Sequence, residues 1–168
     1  MILFLDYDGV LHPSDVYIVD GKPVLEAGDD MKLFMHAPLL ERILSVFPEA
    51  KIVLSTSWTN QFDFEFARDQ LPEALRSRVV DSTWNEENER SKTFWHHCMT
   101  RYEQILGYVE RHGITNWLAV DDNDRGWPDD QRDRLVHCED NFYGISHPQV
   151  IGQLMDSLFY TYTDELRG

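Results

Sequence analysis

The 168-residue chain sets 15 Lys and Arg against 30 Asp and Glu, a formal net charge of −15 at pH 7, with 42% hydrophobic and 12% aromatic residues. That composition excludes wholesale disorder, and the length suits one domain spanning residues 1–168. The charge places electrostatically driven binding to nucleic acid or membrane at a disadvantage. It leaves two readings of the acid excess: a solvated surface, or carboxylates gathered around a metal ion. Cys98 and Cys138 are too few for a disulfide framework. The opening Met1–Leu5 runs straight into Asp6 without a basic segment or long apolar stretch, and no apolar run reaches the roughly 18–20 residues that span a bilayer. The expectation is a cytoplasmic protein with no membrane contact and no obligate protein partner.

Strand-like and helix-like stretches alternate along the chain. Ile2–Leu5 is an apolar run long enough for a buried strand and too short for a helix. β-Branched residues flank Asp20-Gly21 between Val16 and Val24, which predicts a small hairpin over about 14–26 with a tight turn. Leu39, Leu40, Ile43, Leu44 and Phe47 recur at helical spacing and stop at Pro48. A second short strand is expected at Lys51–Ser55. Phe62, Phe66, Leu71 and Leu75 fit helical packing around a break at Pro72, and Val79-Val80 begins another strand. Residues Asn85–Lys92 read as a polar loop. Tyr102, Ile105, Leu106 and Val109 form a helical stripe ending at Gly113. Trp117–Val120 is the third clear buried strand, Arg134–Cys138 a weaker one. His147-Pro148 opens a last helix through Leu158, and Tyr160–Tyr162 reads as packing or a frayed end. This alternation predicts an α/β sandwich around a mainly parallel sheet.

The informative pattern lies where the apolar strands stop. Leu3-Phe4-Leu5 is followed by Asp6-Tyr7-Asp8-Gly9-Val10-Leu11, Ile52-Val53-Leu54 by Ser55-Thr56-Ser57-Trp58, and Leu118-Ala119-Val120 by Asp121-Asp122-Asn123-Asp124. Taken singly, each segment is an ordinary turn or helix cap. Together they fall at the carboxyl ends of three strands, where open parallel sheets bind ligands. Carboxylates crowded there repel one another unless a cation neutralises them, and Mg²⁺ suits a set of hard oxygen donors.

These segments resemble the motifs of the haloacid dehalogenase (HAD) superfamily of phosphatases. Asp6-Tyr7-Asp8-Gly9-Val10-Leu11 resembles its first motif, Ser55 its second and Asp121-Asp122 its acidic fourth. The third motif, a single basic residue before a helix, is best matched by Arg101, with Lys92 as runner-up. The resemblance implies a Rossmann-like three-layer sandwich in which Asp6 is the nucleophile and Asp8 the general acid and base. It also implies that Ser55 and Arg101 engage the phosphoryl group. Mg²⁺ would be held by Asp6, the Asp8 backbone carbonyl and Asp121, with Asp122 beside them. Gly9, Thr56 and Trp58 are the expected substrate contacts, Gly9 through a sharp turn that offers backbone amides to a phosphate oxygen.

Only 47 positions separate Asp8 from Ser55 and 46 separate Ser55 from Arg101. Neither interval holds a full cap domain beside the elements already placed there, so the expectation is a hairpin flap and an open site. Trp-Leu-Ala-Val-Asp-Asp and Ser-Thr-Ser-Trp are also similar to HAD domains of nucleic-acid end-repair proteins. The expected partner is therefore a phosphorylated substrate, either a small molecule or a nucleic-acid end. Against the latter stand the net charge and a basic cluster limited to Arg76, Arg78, Arg90 and Lys92. His96-His97-Cys98 lacks a second ligand pair and is set aside as a zinc site. His12, directly after the first motif, could touch substrate but reads rather as a loop residue without a special role, and Trp58 and Trp127 read equally as stacking platforms or core cover. The alternative class is a receiver-like or non-catalytic domain that binds phosphate or metal. Its phosphorylatable Asp would follow a mid-chain strand, where this chain has Ser55.

Overall fold

The structure, a computed structural model, describes residues 1–84 and 99–165. Strands β1 (Ile2–Leu5), β4 (Lys51–Leu54), β5 (Val79–Ser82), β6 (Trp117–Asp121) and β7 (Leu135–His137) form a five-stranded sheet in the order β5-β4-β1-β6-β7. Every pairing in it is parallel, with Leu5 in register with Leu54 on one side and Val120 on the other. The hairpin of β2 (Val16–Val19) and β3 (Lys22–Leu25) stands apart as an antiparallel pair, turning through Asp20 and Gly21 at φ +50° and +74°. Two consecutive positive φ angles are those of the tight hairpin turn expected there.

Short apolar runs make buried strands because alternate residues serve opposite faces. Leu3, Leu5, Ile52, Leu54, Leu118 and Val120 point into one core, beneath helix α1 (Ala37–Leu44) and the C-terminal helix α6 (Pro148–Glu165). Phe4, Val53 and Ala119 point the other way, into a second core closed by Ile105, Tyr108 and Val109 of helix α5 (Arg101–His112). Leu3, Phe4 and Leu5 are fully buried, each worth about 1.5–3 kcal/mol. The molecule is thus the three-layer Rossmann-like sandwich, with the sheet between two helical layers.

Three boundaries differ from expectation. Helix α1 ends at Leu44 rather than at Phe47, because the residue before Pro48 is driven out of helical geometry. Arg78 closes that end by donating to the carbonyls of Leu44 (3.1 Å), Phe47 (2.9 Å) and Ala50 (3.1 Å). The segment after Ser57 is three short helices, α2 (Trp58–Gln61), α3 (Phe64–Asp69) and α4 (Glu73–Arg76), instead of one run broken at Pro72. The extra break follows from Asp63, whose carboxylate accepts the Phe66 N–H at 2.6 Å and starts a new helix. Helix α6 continues through the tyrosine tail, where Tyr162 packs edge-on to Phe47 at 5.9 Å while Tyr160 faces outward. The expected loop at 85–92, together with Arg90, Lys92 and His96-His97-Cys98, lies outside the described residues.

One contact ties this frame to the strand ends. Gly144 has φ +50°, and a Cβ there would stand 2.3 Å from the Val10 carbonyl oxygen, which accepts the Ile145 N–H at 3.1 Å. Gly144→Ala therefore combines left-handed strain with a backbone clash. It is expected to cost about 2–3 kcal/mol and to lower Tm by about 5–10 °C, measured by thermal denaturation.

Candidate active site

Three adjacent strands deliver the site. Asp6 directly follows β1 and donates its N–H to Val120 at 3.1 Å; Ser55 follows β4 and donates its N–H to Leu5 at 2.8 Å. Asp121 closes β6, and its carbonyl accepts the Cys138 N–H at 2.9 Å. Arg101 is brought in from the other layer as the first residue of α5. That helix is started by a capping box in which the Thr100 hydroxyl accepts the Glu103 N–H and the Glu103 carboxylate accepts the Thr100 N–H.

One carboxylate oxygen from each of Asp6, Asp121 and Asp122 lies within 4.8 Å of the others. Arg101 faces them: its Nη2 is 3.6 Å from Asp6 Oδ2 and its Nε 3.0 Å from Asp121 Oδ2. Burial raises the carboxyls of Asp6 and Asp121 above the usual range, Asp121 strongly, with the Asp6 charge adding to the shift at Asp121 and Arg101 opposing both. Asp122 is pushed up to about 7, by burial first and then by the Asp6 charge. With all three carboxylates ionised, the one guanidinium would leave two negative charges uncompensated among buried and half-buried hard oxygens. That residue of charge and donor type fits one divalent cation such as Mg²⁺.

A pH dependence follows. With the Asp122 carboxyl at about 7 when folded and about 4 when unfolded, the folded chain holds a proton that the unfolded chain releases across that window. Stability without metal should therefore fall as pH rises from about 4 to 7. A cation needs the same carboxylates ionised, so Mg²⁺ should raise Tm more at pH 8 than at pH 5. Thermal shifts with Mg²⁺ and with EDTA at both pH values measure this, and an equal shift at the two would contradict it.

Gly9 explains how the trio closes. At φ +72°, a Cβ there would lie 2.3 Å from Asp122 Oδ2, so only glycine lets Asp122 approach the turn after Asp6. The Gly9 N–H itself is donated to the His12 carbonyl at 2.9 Å, so any amide offered to a substrate would come from another residue of the turn. The other two expected substrate contacts, Thr56 and Trp58, are both packed inside the fold. Thr56 is buried beside the Asp6 carboxylate, and its hydroxyl accepts the Trp58 N–H at 3.4 Å. Trp58 is 1% exposed and hemmed by Tyr7, Phe34, Phe62 and Phe66, which leaves no ring face for a substrate. Trp127 likewise covers the core, against Tyr102 and Trp117. The buried Ser55 hydroxyl, by contrast, has no hydrogen-bond partner among the described residues.

The largest surprise is His12, expected to be an idle loop residue. It is fully buried, with Nε2 3.0 Å from Asp8 Oδ1 and Nδ1 3.2 Å from the Phe34 N–H. A backbone N–H can only donate, so Nδ1 accepts and Nε2 carries the proton given to Asp8. The indole Nε1–H of Trp58 reaches the same carboxylate, at 3.0 Å to Oδ1 and 3.1 Å to Oδ2. The Asp8 side chain, 28% exposed, is thereby held outside the acidic trio. Burial, first of all, and the nearby Asp121 charge push the Cys138 thiol up, which leaves it inert.

A parallel sandwich with an Asp-x-Asp-Gly turn after its central strand, and a basic residue and acidic pair beside it, is the architecture of the haloacid dehalogenase superfamily. The model of the family described as the HAD domain in Swiss Army Knife RNA repair proteins matches residues 2–150, and the chain belongs to that family. It is thus a phosphohydrolase of the general HAD kind. No curated protein and no solved structure matches the chain.

Proposed function

We propose that this protein is an Mg²⁺-dependent phosphatase that works through an aspartyl-phosphate on Asp6. The observation that carries the reading is the division of labour among the acids. Asp6 sits with Asp121, Asp122 and Arg101, whereas Asp8 is held apart by His12 and Trp58. Asp6 attacks phosphorus, forming an Oδ–P bond as the P–O bond to the leaving group breaks and Asp8 gives that oxygen a proton. Water then attacks phosphorus, the Asp6–P bond breaks, and Asp8 takes the water's proton. The Ser55 hydroxyl donates to a phosphoryl oxygen, and Arg101 offsets its charge. Mg²⁺, held by Asp6, Asp121, Asp122 and the Asp8 carbonyl, would supply charge neutralisation at the phosphoryl group.

The substrate in this reading is the terminal phosphate of a nucleic-acid strand, or a nucleotide. The RNA repair proteins in which the family's HAD domain occurs support it. A cleft of about 530 Å³ lined by His137, Glu139, Asp140, Asn141, His147 and Gln153 meets the site only through His137, whose Nε2–H donates to the Asp122 carbonyl at 3.0 Å. Within the described part of the basic cluster, little positive charge is left for a long polyanion. Arg78 is consumed by carbonyls and Arg76 by Glu73, which leaves recognition to the strand end rather than to the backbone. No described helix is long and apolar enough to cross a membrane, and a cytoplasmic location belongs to the same reading. Phosphate release from RNA and DNA oligonucleotides bearing 3′- or 5′-phosphates, set beside nucleotides, sugar phosphates and phosphopeptides, tests the substrate. Turnover confined to sugar phosphates or phosphopeptides would overturn the nucleic-acid assignment.

A further inference from the structure

The structure assigns His12 and Trp58 as positioning residues that aim the Asp8 carboxylate at the leaving-group oxygen; the assignment rests on the phosphatase reading above. Both donors converge on Oδ1, His12 Nε2 at 3.0 Å and Trp58 Nε1 at 3.0 Å, while Oδ2 receives only the shared indole proton at 3.1 Å. Oδ1 is therefore the anchored oxygen and Oδ2 the one with room to carry and return a proton. The anchors are themselves anchored. The Phe34 N–H fixes the His12 ring and its tautomer, and Phe34 stacks edge-on to His12 at 4.9 Å and to Trp58 at 5.3 Å. Backbone at residue 34 is thus coupled, through two rings, to the acid. Phe34 itself sits at φ +58°, a conformation that a bulky residue holds only when its surroundings impose it.

A positioned acid matters in proportion to how badly the leaving oxygen needs its proton. Within a series of phosphate monoesters it counts little for 4-nitrophenyl phosphate, whose phenolate departs unaided, and most for a simple alkyl phosphate. A residue that serves only the fold would slow both alike. The appropriate quantity is kcat/KM, which ends with the first irreversible step, formation of the Asp6–P bond and loss of the alcohol. His12→Asn keeps an acceptor oxygen near the Nδ1 position for Phe34 but removes the donor to Asp8; His12→Gln keeps a donor near the Nε2 position. Trp58→Phe removes the indole donor while retaining an aromatic ring.

The test measures kcat/KM with Mg²⁺ on 4-nitrophenyl, phenyl and alkyl phosphates for wild type, H12N, H12Q and W58F, with Tm for each. General acids contribute about 10²–10⁴-fold, and a displaced one should lose part of that. H12N and W58F are expected to fall about 10- to 100-fold on the alkyl ester and less than about 3-fold on the 4-nitrophenyl ester, with H12Q within about 3-fold of wild type on both. An equal loss on all three esters, or no loss in folded H12N and W58F, overturns the positioning role and leaves the phosphatase reading standing. Should W58F not fold, H12N and H12Q decide alone, because Phe34 keeps its partner in H12N. Wild type that turns over no ester in an Asp6-dependent way overturns the phosphatase reading, and the positioning role falls with it.

Discussion

Replacing Asp6 with Asn is expected to lower phosphatase turnover by at least about 10³-fold while leaving the fold intact. The amide is nearly isosteric with the carboxylate, so the close packing around residue 6 need not change. What is lost is the attacking oxygen's charge, together with one of the three carboxylates that face Arg101. Removing a buried negative charge from a crowded group also relieves repulsion. Tm without metal should therefore stay level or rise in D6N, and the stabilisation by Mg²⁺ should shrink. Steady-state phosphate release and thermal shifts on the same preparation check both halves. Turnover within about tenfold of wild type would exclude Asp6 as nucleophile.

The second large effect is expected at Arg101. Its guanidinium spans two carboxylates, Asp6 at 3.6 Å and Asp121 at 3.0 Å, with only 16% of its side chain exposed. Arg101→Met keeps the stem and removes the charge, and should reduce kcat/KM by about 10²–10³-fold, the scale for one charge-stabilising group at a transition state. It also leaves buried carboxylates without their cationic partner, so the metal-free variant should lose stability, more at pH 8 than at pH 5, because more of them are ionised there. Arg101→Lys should recover only part of the rate, since an ammonium is a point charge that cannot bridge both acids as the planar fork does. Kinetics and melting curves of the two variants at both pH values test this. A kcat/KM for Arg101→Met within about threefold of wild type would remove Arg101 from the phosphoryl-binding role.

Much of this arrangement is legible in the amino-acid sequence, for a physical reason. A four-residue apolar run such as Ile2–Leu5 or Lys51–Leu54 is too short to be a buried helix, and in a parallel sheet all such runs end on one edge. The polar residue that follows each run is therefore placed without knowing the packing, which is how Asp6, Ser55 and Asp121 come to neighbour one another. Arg101 is legible in a weaker way, as the basic residue at the head of an amphipathic stripe. The contacts made by side chains across the fold are not. The Trp58–Asp8 hydrogen bond joins residues 50 positions apart, and His12 meets Phe34 across 22. Periodicity carries no signal for either, and a tryptophan after the second motif looks the same whether it stacks on substrate or turns inward.

Local chemistry was also overridden by spacing in one place. Asp63 is an ordinary helix-starting residue, yet the apolar spacing of Phe62 and Phe66 reads through it as a continuous helix. The same competition hides Gly9. Its sequence context signals a turn, but the need for glycine comes equally from Asp122, more than a hundred residues later, pressing against the place a Cβ would fill. The net charge of −15 takes on a narrower meaning once the site is placed. Asp6, Asp121 and Asp122 form the clustered carboxylates and Asp8 stands beside them, so the charge of the other acids weighs chiefly as repulsion of polyanions.

The most direct measurement of the central claim is phosphate release by the wild-type chain, assayed on the phosphate-ester panel with Mg²⁺ and again with EDTA, beside D6N. Release that requires Mg²⁺ and is lost in the variant is the expected result. Release undiminished by EDTA or by Asp6→Asn, or no release from any ester in the panel, would contradict it.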